Sequence, residues 1–233
     1  MYSLWDSTQQ ALILLASGDT ALWKIVGISF SVSLRAILFT APVALVVAFI
    51  LAYVPFPGRK LVLSTFNTLL SVPVVVVGLT LYLLLSRSGP LGDLHLLFTQ
   101  SAMILGQILL CFPLLVVLCH AAISAADRAA WETALTLGAS LPRALVTVLY
   151  EVRFGLLAAI IAGFGRIIGE VGSSMMVGGN ILNFTRNIPT AIALETSKGA
   201  FSEGIALGIV LLTLAFSLNF GLSFLQRKEA TKE

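Results

Sequence analysis

Long stretches of this chain carry no charge at all. Residues 61–86, 96–119 and 204–226 contain neither acid nor base, and residues 25–58 contain only Arg35. The run 154–171, fourth in chain order, is apolar apart from Arg166 and Glu170. A membrane-spanning helix needs about 20 mostly apolar residues, so these runs can cross a bilayer. In hydrocarbon every backbone N–H and C=O must be satisfied within the protein, which favours helices. The sequence therefore predicts an all-α membrane protein with five transmembrane helices, roughly 25–54, 61–86, 98–120, 154–171 and 204–226. They form one domain, 1–233. Only 11% of the residues are charged, against about a quarter in soluble domains.

Charge between the runs sets the expected orientation. One set of connecting segments carries Arg59, Lys60, Arg128, Arg143, Arg227, Lys228 and Lys232; the other carries Lys24, Arg87, Arg186 and Lys198. The positive-inside rule then puts the N-terminus outside and the C-terminus in the cytoplasm. The apolar stretch ending at Ala16 is too short to cross, and reads as an N-terminal interfacial helix. The first twenty residues lack the basic start of a cleaved signal peptide. Pro42 and Pro73 fall inside runs one and two, where each removes a backbone bond and can kink a helix. Cys111 and Cys119 are eight positions apart in one run and read as small buried side chains. Net charge is only +3, with no basic block suited to nucleic acid.

The segment 125–144, "AADRAAWETALTLGASLPRA", is too long for a simple connection between two helices. Asp127 can cap a short helix that ends at Gly138, the residue best able to turn a helix corner. Ser140 can cap a second helix, with Pro142 tolerated in its first turn. Trp131, Ala134, Leu135 and Gly138 share one face of the first helix. Such a pair is too polar to enter the bilayer. It is either a loop folded on the membrane surface or a docking site for a partner.

The fourth run, with its continuation "GRIIGEVGSSMMVGGNILNFTRNIPTAI", holds the other polar feature. Arg166 and Glu170 are spaced i, i+4 and can pair. Charges at this depth are costly and usually face a bundle interior or a water-filled path. Two readings stand: an ion pair that holds helices in register, or a contact with cargo. Gly172, Gly178 and Gly179, with Ser173 and Ser174, weaken the helix beyond Glu170. Arg35 lies beside Ser29, Ser31 and Ser33 and either lines a path or snorkels to a headgroup. Pro189 and Lys198-Gly199 bound a short external helix within the loop 178–203.

Glu132-Thr133-Ala134 followed by Gly138 resembles the "EAA…G" loop of permease subunits in bacterial binding-protein-dependent ABC importers. Tyr150 and Phe154 stand where that family often has prolines, and Gly155 matches. Gly169, Glu170, Gly172, Met175, Met176, Gly178, Gly179 and Asn180 resemble the "GE.G…M..GGN" stretch of oxyanion permeases. The continuation "TRNIPTAIALETSKG" looks most like the tungstate branch. The resemblance implies a type I ABC importer permease-like fold, with 125–144 as a cytoplasmic coupling-helix insertion. Asp127, Arg128, Glu132, Ala134 and Gly138 would then couple to an ATPase. Arg35, Arg166, Glu170, Gly172, Ser173, Met175 and Met176 would belong to the translocation pathway or gate. Asn180, Arg186 and Glu195 would meet an extracytoplasmic binding protein.

The implied partners are a second copy of the chain, two cytoplasmic ABC ATPases, an oxyanion-binding protein and the lipid bilayer. The implied location is a bacterial or archaeal cytoplasmic membrane. No "GxxxxGK[ST]" sequence is present, so ATP and Mg would sit on the partner ATPase and this chain would bind no cofactor. With no metal-ligand cluster, "HExxH" or "GxSxG" motif, the sequence gives no support to a hydrolase. Importers of molybdate or sulfate are alternatives within the class. A proton-coupled secondary transporter is the alternative outside it, but would be expected to contain repeated spans, and none is visible. A non-transporting scaffold would have no use for the charges in run four.

Overall fold

The computed structural model describes residues 4–125 and 128–230, excluding the side chains of 128, 130 and 222–230. Among the described residues there are helices and turns but no strand. Three helices among those residues are long and apolar enough to cross a membrane: α2 (Thr20–Tyr53), α5 (Gln100–Ser124) and α11 (Phe201–Ala230). Two bent helix pairs bring the number to five if each pair counts as one span.

Helix α2 starts where the Asp19 carboxylate accepts the Leu22 N–H at 2.8 Å. Its 34 residues span about 51 Å at 1.5 Å per residue, and it continues through Pro42. Ala36, Ala41, Ala44 and Ala48 are buried, whereas Leu34, Leu38, Phe39 and Val43 lie on the exposed side. Small side chains let backbones approach closely where lipid supplies no hydrophobic drive. Accordingly α2 and α5 make the most extensive helix contact. Their shared core joins Ala36, Ala44 and Leu51 to Cys111, Leu115, Val116 and Ile167.

The second uncharged run is two helices, α3 (Arg59–Leu69) and α4 (Val74–Leu85), bent by 95°. Pro73 therefore interrupts the run completely instead of kinking one helix. It has no N–H to donate and disfavours helical geometry at Val72; Leu70, Ser71 and Val72 close a turn on the carbonyls of residues 67–69. None of α3's residues is buried.

The inserted segment forms α6 (Arg128–Thr136) and α7 (Leu141–Glu151), with Gly138 between them at φ +82. That left-handed turn suits glycine, and the Ala139 N–H closes it on the Ala134 carbonyl at 3.0 Å. Helix α8 (Arg153–Ile168) leaves α7 at a 72° bend. The break in the fourth run lies at 169–171, after which α9 (Gly172–Gly178) passes through both serines. The helix stops ahead of the glycine-serine stretch, which itself forms a short helix packed against α4 and α5.

Helices α1 (Leu4–Ala16) and α10 (Ile188–Lys198) flank the start of α11. Ala11, Leu22, Ile25, Ile188, Ala191 and Ala206 share one core there. At the other end of α2, Ala48 and Ala52 pack with Cys119, Ile123, Val148 and Leu156. The α6–α7 pair and the α10 segment thus lie at opposite ends of the longest helix.

Candidate functional site

The break between α8 and α9 is built around one carboxylate. Glu170 is only 6% exposed, so its charge must be balanced locally. One carboxylate oxygen accepts from Arg166 Nη1 at 3.1 Å, and the other accepts the Gly172 N–H at 2.7 Å. The second contact satisfies a donor in the first turn of α9. Arg166 sits in the last turn of α8, where the carbonyl ends favour a cation.

The Arg166 side chain remains 54% exposed. It reaches a cavity of about 500 Å³ between α4 and α5, lined by Val74, Val77, Leu81, Ile108, Phe112 and others. Arg166 is the one charged side chain in that lining. An arginine with spare N–H groups at an apolar groove can attract an anion. Its bonded glutamate reduces that attraction.

Close backbone approach holds α9 in place. A Cβ on Gly78 of α4 would lie 2.9 Å from the Ser173 Cα and 3.1 Å from the Met176 sulfur. A Cβ on Gly106 of α5 would meet Ser173 Oγ at 3.5 Å. Ser173 and Ser174 are therefore buried, while Met175 and Met176 are half-buried. Gln107, fully buried on α5, donates Nε2 to the Ile167 carbonyl at 3.2 Å and ties α5 to the end of α8. Neither Gln107 nor the two glycines stood out in the sequence reading. The usable signal for Gln107 was an amide next to a glycine, Gly106, deep within an uncharged run.

The expected pathway residues divide spatially. Arg166, Glu170, Gly172, Ser173, Met175 and Met176 belong to one junction. Arg35 does not line the groove beside Arg166; it is exposed next to Leu34 on α2. Ser29 instead accepts the Ile188 N–H at 2.6 Å, and Ser33 is buried.

Asn180, Arg186 and Glu195 form one connected cluster beside α10. Arg186 donates to the Asn180 carbonyl at 3.4 Å and lies 3.8 Å from a Glu195 oxygen. Lys198 also donates to Glu195, at 3.0 Å. Asn180 has φ +51, and Thr185 Oγ1 bridges the Gly178 carbonyl and the Ile181 N–H. Asn187 and Thr190 cap α10 reciprocally. Glu195 is thus shared by two cations, whereas the buried Nε of Arg186 has no hydrogen-bond partner among the described residues.

At the other end of α2, Glu132 is exposed, Ala134 is half-buried and Gly138 is exposed at the corner. Asp127 lies outside the described residues, and for Arg128 only the backbone position in α6 is described. Trp131 turns inward: its ring centroid is 4.9 Å from that of Tyr53 and 5.4 Å from that of Phe49.

No family model matches the chain. It is 38% identical to the tungstate uptake system permease protein TupB of Campylobacter jejuni, over 93% of this chain and 91% of that protein. It is 36% identical to the protein of the same name from Peptoclostridium acidaminophilum, over 96% and 98%. The molybdenum transport system permease protein ModB of Escherichia coli is 30% identical, over 83% and 88%. Among solved structures, a bacterial alginate ABC transporter, solved with its pentasaccharide-bound periplasmic protein, has a chain matching with TM-score 0.74 at 18% identity, covering 93% of this chain and 82% of that one. The inward-facing MetNI methionine ABC transporter has a chain matching with TM-score 0.65 at 14% identity, over 93% and 96%. At those identities the structures speak for the fold alone, while the sequence relatives fix the family. The chain belongs to the permease subunits of ABC transporters, in the group that includes the tungstate and molybdenum permeases.

Proposed function

We propose that this chain is the membrane-spanning subunit of an importer that moves tungstate into the cytoplasm. The observation that carries the substrate is the greater identity to two tungstate uptake permeases than to the molybdenum permease, at fuller coverage. As a permease subunit the chain is a multi-pass membrane protein, and ATP is hydrolysed by a separate chain.

Two copies would enclose the path, because five spans are too few to surround a gated route. The charge bias favours α6 and α7 in the cytoplasm, against two ATPase subunits, with Glu132 and Gly138 at the contact. The resemblance extends this set to Asp127, Arg128 and Ala134. The α10 cluster of Asn180, Arg186 and Glu195 would then face the binding protein outside. ATP-driven closure of the ATPases pulls on the two insertions and rocks the helices between inward- and outward-facing forms. A tetrahedral dianion leaving the binding protein meets Arg166 at the α4–α5 groove. Glu170 keeps one guanidinium edge occupied, so the anion is attracted without being trapped.

Tungstate uptake by cells carrying the complete system tests the substrate. Excess unlabelled tungstate is expected to suppress labelled uptake more strongly than equal molybdate or sulfate. If molybdate or sulfate competes better, the substrate assignment is wrong.

A further inference from the structure

We infer that the Trp131 ring, seated on Phe49 and Tyr53, is the link by which a displacement of α6 reaches α2. This deepens the proposed docking of α6 on an ATPase, and rests on it.

Helix α6 has nine residues and packs mainly on α7. In the apolar cluster around Ala48, Ala52, Ile123 and Val148, Trp131 is the α6 residue among the described members. The three rings interlock: Phe49 and Tyr53 stack with centroids 4.9 Å apart, and Trp131 sits across both. They also wall an apolar pocket of about 330 Å³ with Leu141, Pro142 and Leu145. Interlocked aromatic faces bury a large area with few rotatable bonds, so they transmit displacement with little slack.

The route along the chain is less direct. From α6 it turns at Gly138, where φ is +82, and again at the 72° bend between α7 and α8. The ring contact bypasses both corners and meets the last turns of α2. That helix is continuous over 34 residues. Toward its other end Ser29 accepts the Ile188 N–H at 2.6 Å, at the start of α10. A push on α6 at Trp131 is therefore delivered to a rod whose far part is bonded to the α10 segment.

The test uses the permease reconstituted with its ATPase and binding protein, with tungstate uptake and ATP hydrolysis measured in the same vesicles. Trp131→Ala is expected to keep ATPase co-purification and hydrolysis, while uptake per ATP falls on the order of tenfold, within the range over which intermediary residues change coupling. Trp131→Phe is expected to restore most of the ratio, and Tyr53→Leu to lower it with α6 itself unchanged. If Trp131→Ala fails to assemble, the Tyr53→Leu ratio decides. A wild-type ratio in the assembled Trp131→Ala or Tyr53→Leu complex overturns the link. Glu132→Arg separates the two layers: it is expected to lose the ATPase. If Glu132→Arg still co-purifies with the ATPase, the docking reading falls and the link falls with it. If Glu132→Arg loses the ATPase while Trp131→Ala couples normally, the link alone is wrong.

Discussion

Replacing Glu170 by alanine tests whether the α8–α9 junction depends on its carboxylate. The substitution orphans the Gly172 N–H, which Glu170 now receives at 2.7 Å. An unsatisfied buried donor costs about 1–3 kcal/mol. The Arg166 contact adds less, because that side chain is 54% exposed and exposed ion pairs contribute about 0–1 kcal/mol. The two terms sum to about 1–4 kcal/mol, a roughly 5- to 1,000-fold loss of the seated junction. Thermal unfolding of the purified complex is expected to shift down by several degrees, and uptake to fall in parallel. Glu170→Gln keeps an oxygen for Gly172 but removes the charge. It is expected to melt near the wild type while uptake slows, because an unopposed Arg166 holds the dianion longer. Wild-type melting and uptake in Glu170→Ala would refute the reasoning.

Three further outcomes follow from other contacts. Gly78→Val places a Cβ 2.9 Å from the Ser173 Cα, an overpacking cost of about 1–3 kcal/mol, and is expected to lower the yield of folded complex on size-exclusion chromatography. Ser29→Ala leaves the Ile188 N–H without its 2.6 Å acceptor, a loss of about 1–3 kcal/mol; faster hydrogen exchange at the start of α10 would register it. Gln107→Leu removes the bond to the Ile167 carbonyl and is expected to cost about 1 kcal/mol, read as a lower melting temperature.

The sequence revealed these features unevenly. The apolar runs, the corner at Gly138 and the Arg166–Glu170 spacing could be read because each depends on local patterning. The complete break at Pro73 was less visible, since a proline within a helix can also be accommodated as a kink: α2 continues through Pro42 while α3 and α4 separate at 95°. Long-range pairings were invisible. Ser29 with Ile188, Gln107 with Ile167 and Trp131 with Tyr53 join residues far apart in the chain, and no periodicity specifies such partners. Arg35 and Arg166 both fall inside apolar runs and were both candidates for the pathway, but of the two only Arg166 lines the groove between α4 and α5.

The most direct measurement is tungstate uptake into vesicles holding the permease, with the energy source varied. With the ATPase and ATP on the α6 side and the binding protein on the other, uptake is expected to require ATP and to survive collapse of the proton gradient. Uptake by the permease alone, driven by a pH gradient without ATPase, would contradict ATP-driven import.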